Sequence, residues 1–501
     1  MDKLSELVGI FTVQNGDDVI ELRKHAGMHN ETYMVKELDK MIGFPFTAVI
    51  ERSYVDKVYR NTYYSYFSSK HFDIPRDCNR VSFFRGCLSV DDFLGSEEEL
   101  QKAFIGISIV KPIKNGCIGR TLLDPKKLNI ADCYVRTTRF DFMILGKNLK
   151  VDAFPFSSQD SETMTCAETT VWNILEYCGQ RYPEYKTILP SDIKKELDES
   201  AQERIWPSEG LNYYQVSKLL KKFGFEPKVY SLDAHAYREK DFRRFFHYYV
   251  ESGIPIAVGL INERDKIGHS VVCIGHGAKC TIRKEKISTI IGSDIKYLET
   301  CDFFDDYVIV DDNQIPYTVK EYDNLTLHNG MKVHTFAVPL YKHILLEAVN
   351  ARNVVNGVLE ITKKVLTSVL DKEDNPLILR FFLTSSRKFK HYRCNSSNKN
   401  EMKLYSLIPY PKFLWIGEIS TISKYKEEKV IGEIVIDATS SKNSKFESVI
   451  SIRYKNCFGY RLKDEDFEKL ANRLKNPMNG LGYDYSLYKN NLELIKKEEG
   501  K

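Results

Sequence analysis

Hydrophobic positions along this chain switch between two periods, and the switches divide it into elements. In the run QDSETMTCAETTVWNILEYC, Ala167, Val171, Ile174, Leu175 and Cys178 fall on one helical stripe, and Thr165 with Glu168 forms a Thr-x-x-Glu capping box. The spacing predicts an amphipathic helix whose first turn carries Cys166. Further on, GIPIAVGLINERDKIGHSVVCIGHG reads as an apolar strand ending near Leu260, a polar connection, and a β-branched strand opening at His269. Another apolar run, Tyr307 to Val310, stops at Asp311, Asp312 and Asn313. Between these, RIWPSEGLNYYQVSKLLKKFGFEPKVY predicts a helix with a Pro-Ser start, inward Val216, Leu219, Leu220 and Phe223, and Gly224 as its stop; a strand through Val229 comes next.

The flanks have other rhythms. Residues 1–150 mix helical and strand signals. In the tyrosine-rich SYVDKVYRNTYYSYFSSKHF the spacing of Tyr54, Tyr59, Tyr63, Tyr64 and Phe67 suits a packed helical face better than base stacking. FIGISIVKPIKNGCIGRTLL then reads as one or two strands. From residue 341, HILLEAVNARNVVNGVLEITKKVL is helix-like, and KFLWIGEIS, KVIGEIVIDAT and SVISIRYK alternate as an antiparallel sheet would. Between them a basic run, Arg387, Lys388, Lys390 and Arg393, reads as a solvated loop, although such a run can also meet phosphate or an acidic partner. The expected division is 1–150, an N-terminal α/β accessory domain; 151–340, the central module; and 341–501, a C-terminal α+β domain.

Composition narrows the classes. At about 150 residues per domain, 501 residues make two to four domains. A hydrophobic content of 43% and an aromatic content of 12% are those of a globular chain. The formal charge is +4, from 73 basic and 69 acidic residues, so nothing global calls for nucleic acid or an anionic membrane. No apolar run approaches the roughly 18 residues of a membrane span, and the first residues lack a signal-peptide pattern. Eleven cysteines without paired spacing fit a reducing compartment, and a cytoplasmic location is expected.

The chemistry centres on Cys166. A helix start offers unpaired amide N–H groups and the positive end of the macrodipole, which favour a thiolate; equally, a lone cysteine can be a small packing residue. The downstream residues change the weighting: a cysteine on a helix start, a histidine heading a strand, and a carboxylate or amide closing the next strand is the order that a Cys-His-Asp/Asn triad requires. His269, Cys273, His276 and Cys280 also resemble metal ligands on paper. In a strand, however, positions 269 and 273 lie about 13 Å apart at about 3.3 Å per residue, too far for one ion, so no metal and no cofactor is expected. His235 and His247, the other candidate bases, read as surface residues, and Trp206 and Tyr213 as aromatics that pack or wall a cleft.

Three signals occur in order: Cys166-Ala167 after an approach containing Gln159; Gly-His-Ser-Val-Val-x-x-Gly-His from Gly268 to His276; and the strand end Val310-Asp311-Asp312-Asn313 before Pro316. In these the chain resembles the papain-like cysteine peptidase superfamily, above all compact bacterial branches related to bacteriocin-processing peptidase domains, over residues 155 to 340. The resemblance implies an α+β fold in which a helix bearing the nucleophile packs on an antiparallel sheet. It implies Cys166 as nucleophile, His269 as base, Asp311 as the group orienting the imidazole, and Gln159 with the Cys166 backbone N–H as oxyanion donors. Gln159 stands one residue further from the cysteine than the family's usual spacing. Asp312 and Asn313 compete with Asp311, and strand alternation would put Asp311 and Asn313 on one face. The expected activity is amide cleavage of a protein or peptide through an acyl-enzyme. Deamidation, transamidation, hydrolysis of another amide, and a latent binding scaffold are the alternatives, and the large flanks leave room for a regulatory partner.

Overall fold

The computed structural model describes residues 7–28, 33–71, 73–114, 117–160, 162–198, 211–232, 238–262, 264, 267–327, 330–371, 376–396, 398–441, 445–462 and 464–497. Within them the chain is a mixed α+β protein with 15 helices and three main sheets. Trp206, His235 and the Pro-Ser start near residue 207 lie outside the described residues.

The N-terminal sheet is an antiparallel meander of Val8–Val13, Phe46–Tyr54, Cys78–Arg85, Phe104–Val110 and Ile118–Leu123, in sequence order. FIGISIVKPIKNGCIGRTLL thus supplies two strands. In the tyrosine-rich stretch, Tyr59 and Phe67 are buried and Tyr64 is exposed, as a helix with one packed face requires.

The central sheet carries the predicted site. Its strands are β1 (Cys133–Val135), β2 (Lys228–Ser231), β3 (Ile256–Asn262), β4 (Ile267–Gly277), β5 (Asp306–Val310), β6 (Thr318–Glu321), β7 (Lys332–Val338) and β8 (Glu493–Ile495). They run in the order β6-β5-β4-β3-β7-β2, with β1 on the end of β4 and β8 on β1, all antiparallel. The β1–β4 approach depends on Gly275, where a Cβ would collide with the Tyr134 carbonyl.

Side-chain alternation gives this sheet two apolar faces. On one, Val272, Ile274, Val308 and Val310 join Val171, Trp172, Ile174 and Leu175 of helix α1 (Cys166–Arg181). On the other, Val271, Cys273, Tyr307 and Ile309 join Phe242, Phe245, Phe246 and Tyr249 of helix α3 (Glu239–Glu251). Each such side chain contributes about 1.5–3 kcal/mol when withdrawn from water, enough to fix the register that aligns His269 with the end of β5. Helix α2 (Tyr213–Lys222) begins at a capping box of Asn212 and Gln215, buries Val216, Leu219 and Leu220, and stops at Gly224, whose φ is +101°.

Helix α1 departs from the amphipathic expectation. Glu168, Trp172, Glu176 and Tyr177 are buried along with the predicted stripe, so the helix is covered all round. The N-terminal sheet covers its second side, and Arg120 from that sheet meets Glu176 at 2.7 Å.

The third sheet contains Leu377–Ser385, Phe413–Thr421, Gly432–Asp437, Val449–Tyr454 and Cys457–Tyr460, antiparallel as the alternation predicts. All nine residues of Phe413–Thr421 are buried, because helix α4 (Ala348–Ile361) and α3 pack on one face while a second apolar cluster covers the other. The basic run is not a solvated loop. It forms helix α5 (Ser386–Arg393), capped by Ser385, with Phe389 and Arg393 buried. Three segments cross the lines at 150 and 340: β1 and β8 both join the central sheet, and the hairpin Ser288–Thr289/Lys296–Glu299 joins the third sheet.

Candidate active site

Cys166 is the first residue of α1 and is half-buried. The capping box fixes its position: the Thr165 backbone N–H donates to Glu168 Oε2 at 2.8 Å. The approach is pinned by Asp160, whose carboxylate accepts from Thr163 N at 2.7 Å, Thr163 Oγ1 at 2.5 Å and Met164 N at 3.1 Å, with Lys111 Nζ at 3.5 Å. Burial raises the pKa of Asp160, but Lys111 and the Thr163 hydrogen bonds outweigh it and hold the carboxyl below its ordinary range. Lys111 comes directly after the fourth strand of the N-terminal sheet, so that sheet also supports the loop carrying the thiol.

His269 and Asp311 meet through sheet register. β4 and β5 pair Val272 with Val310, and one further step sets Asp311 beside Val271, two positions along β4 from His269. His269 Nε2 lies 2.9 Å from Asp311 Oδ1. The Cys166 thiol lies close enough to the same imidazole to act on its pKa. With Nε2 engaged by Asp311, Nδ1 is the ring nitrogen left for another partner. Both residues are buried, His269 at 7% exposure and Asp311 at 0%. Burial lowers the pKa of His269, yet Asp311 and Cys166 together overcome it and raise it to about 10.

Asp311 is itself held by four donors. Oδ1 accepts from His269 Nε2 and from Asn313 N at 3.0 Å; Oδ2 accepts from Gln314 Nε2 at 2.6 Å and Thr326 Oγ1 at 3.1 Å. Burial raises its pKa, and these bonds reverse the sign and hold it low. The carboxylate is therefore charged and directionally fixed, as a group that orients an imidazole must be.

The competing neighbours have other positions. The chain turns at Asp311, with Gln314 N donating to the Asp311 carbonyl at 3.0 Å, so strand alternation ends there and Asn313 does not share the face of Asp311. Asn313 Oδ1 accepts instead from Gln159 Nε2 at 3.1 Å. Gln159 thus lies beside the acid end of the site, with its amide N–H on Asn313. Asp312 Oδ1 is 3.8 Å from His269 Nε2, and neither of its buried carboxylate oxygens has a hydrogen-bond partner among the described residues. Burial is the main cause that pushes its pKa up to about 8.

His269, Asp311 and Asp312 could also present ligand atoms to one ion, since one atom of each falls within 4.8 Å of the others. Asp311 would first have to give up its four donors, so the donor set suits an oriented imidazole better than a cation. The four-ligand alternative does not assemble. Cys273 is fully buried on the α3 face, and His276 donates from Nδ1 to the Gly277 carbonyl at 2.8 Å with Glu251 3.3 Å from Nε2. His247 is not a surface residue: it is 0% exposed, because α3 lies between two sheets, and burial pushes its pKa down to about 3. It is no rival base.

No known protein-family model and no curated protein matches this chain. The geometry therefore carries the functional reading. Asp160, Gln314 and Thr326 are supports that sequence reasoning missed. Asp160 leads a run of short polar residues typical of side-chain-capped turns, and Gln314 stands three residues after Asp311, so both left a local signal; Thr326 left none.

Proposed function

We propose that the chain is a cysteine peptidase with a papain-like core, cleaving an amide bond of a protein or peptide through an acyl-enzyme on Cys166. The observation that carries this reading is one imidazole held between a half-buried thiol and a carboxylate fixed by four donors. In this scheme the imidazole already holds the proton taken from the thiol, as its raised pKa requires, and the sulfur attacks the carbonyl carbon as thiolate. The C–S bond forms, the carbonyl electrons move to oxygen, and the Cys166 backbone N–H at the start of α1 stabilises that oxyanion. Gln159 is the second donor in this scheme and would exchange its bond to Asn313 for one to the substrate.

Collapse of the intermediate expels the amine, which takes the proton from His269. Two of the influences that raise the His269 pKa come from Cys166 and vanish once the sulfur is acylated, so the imidazolium becomes a stronger acid when the leaving group needs its proton. Water, activated by the same imidazole, then hydrolyses the thioester. Asp311 stays ionised throughout and offsets the imidazolium charge.

The eleven cysteines are all unbridged, and no helix among the described residues is long and apolar enough to cross a membrane; a reducing cytoplasmic setting would keep the nucleophile active. The decisive experiment exposes a bacterial lysate to wild type and to Cys166→Ala and reads the products by mass spectrometry. New chain termini made by wild type alone support peptidase action. Side-chain deamidation or cross-linking would replace it with acyl transfer on the same triad, and identical profiles would remove the enzymatic reading.

A further inference from the structure

The opposite end of α1 borders a second concavity. A cavity of about 660 Å³ lies between the end of α1, the first turn of α5 and the chain after β1. Its walls hold five basic side chains, Arg136, Arg181, Arg387, Lys388 and Lys412, against one carboxylate, Glu184. Arg136 is 8% exposed, and its donors go to Tyr177 Oη at 2.9 Å and to the carbonyls of Asn491 at 2.6 Å and Asn490 at 3.4 Å, all neutral acceptors. Arg181 donates from Nη1 to the Thr137 carbonyl at 2.7 Å, while its buried Nε meets no acceptor among the described residues. Lys388 has no carboxylate partner among the described residues; the charges that act on it are those of Arg136 and Arg181.

The local field is positive enough to change its surroundings. Burial, then Arg136 and Arg181, push the Lys388 ammonium down to about 6. Burial raises the phenol of Tyr182, yet the same two guanidiniums outweigh it and hold it below its ordinary range. Elsewhere in the fold buried arginines are matched: Arg380 with Glu251 and Glu418, Arg393 with Glu418 and Glu433, Arg453 with Glu401. Two guanidiniums and an amine whose protonation they oppose, none of them in an ion pair among the described residues, are an exception that an anion would resolve.

We propose that this cavity binds a small organophosphate, a phosphate or diphosphate ester whose oxygens bridge Arg136, Arg181 and Lys388 across the seam between α1 and α5. Guanidiniums suit phosphate oxygens through paired N–H groups, and the first turn of α5, Ser386 to Lys388, brings a helix N-terminus to the same wall. The volume exceeds that of a bare phosphate. An apolar wall accommodates the organic part: the rings of Tyr182 and Tyr341 lie 5.1 Å apart, and those of Tyr341 and Phe413 5.3 Å. This site is independent of the peptidase reading and holds whether or not Cys166 is acylated.

Calorimetry on the full chain, at about 150 mM salt to screen diffuse attraction, tests it with inorganic phosphate, pyrophosphate and adenosine diphosphate. Pyrophosphate and the nucleotide should each bind saturably at one site, the nucleotide more tightly than phosphate. Lys388→Met and Arg181→Gln should each weaken binding at least about tenfold. The Lys388 ammonium has no carboxylate that its replacement would strand, so that variant keeps the test interpretable if Arg181→Gln fails to fold. At pH 7.5 wild type should take up a proton on binding, seen as a buffer-dependent heat that Lys388→Met lacks. Absence of saturable pyrophosphate binding, or equal binding by wild type and Lys388→Met, overturns the site. Phosphate binding as tightly as the nucleotide overturns the organic ligand.

Discussion

The two ends of α1 treat charge in opposite ways. At the Cys166 end nearly every ion is answered: Asp311 by four donors, His269 by Asp311 and the thiol, Asp160 by Lys111. At the Arg181 end two guanidiniums, bonded to carbonyls and a phenol, act on the Lys388 amine, and Glu184 is the one carboxylate among the lining residues. A compensated cluster can work with what the chain supplies, since its groups are pre-oriented and need only a reacting carbonyl. An uncompensated one is unfinished without something from outside. One helix thus joins the proposed catalytic cluster to the proposed anion site.

Removing the base should have the largest effect. His269→Ala should slow labelling of Cys166 by a mild alkylator at pH 6 by about tenfold or more, and lower amide cleavage by about 10²–10⁴-fold. An unchanged labelling rate, read by peptide mass spectrometry, would break the contrast, because the thiol would owe nothing to the imidazole. Next comes the orienting acid: Asp311→Ala should cut turnover by up to about 10⁴-fold while leaving Cys166 in place, with substrate affinity little altered. A loss confined to KM would mean that Asp311 only supports the fold.

Asp312 sharpens the comparison, since neither of its buried carboxylate oxygens has a hydrogen-bond partner among the described residues and His269 Nε2 stands 3.8 Å off. Its folded pKa, about 8, lies above the ordinary 3.8, so the folded chain binds its proton more tightly than the unfolded chain does. Stability from this group is fully present below about pH 3.8 and is lost as pH rises through 8. His269, raised from 6.5 to about 10, adds a loss across that higher window. Asp312→Asn should abolish the first limb and stabilise the protein by roughly 1–3 kcal/mol at pH 8, measured by urea unfolding. A variant with an unaltered pH profile would show that Asp312 is solvated in solution.

What could be read in the sequence was local. The start of α1 was legible because a capping box and an apolar stripe coincide within fourteen residues, from Thr165 to Cys178. The order of Cys166, His269 and the acid was legible too. Which acid was not: alternation paired Asp311 with Asn313, but the chain turns at Asp311, and only the 2.9 Å and 3.8 Å distances separate Asp311 from Asp312. The full burial of α1 and of Phe413–Thr421 was hidden because it depends on neighbours distant in sequence. The basic run held a readable clue, Ser385 before Phe389 and Arg393 at helical spacing, that its charge obscured.

β8 comes from more than 200 residues beyond β4, yet it closes the edge of the sheet that carries His269: it pairs with β1, which rests on the end of β4. Without β8, β1 would present a bare rim of backbone donors and acceptors on that side. A lesion at residues 493–495 would therefore be felt at the imidazole through two strands, with no side chain near it altered.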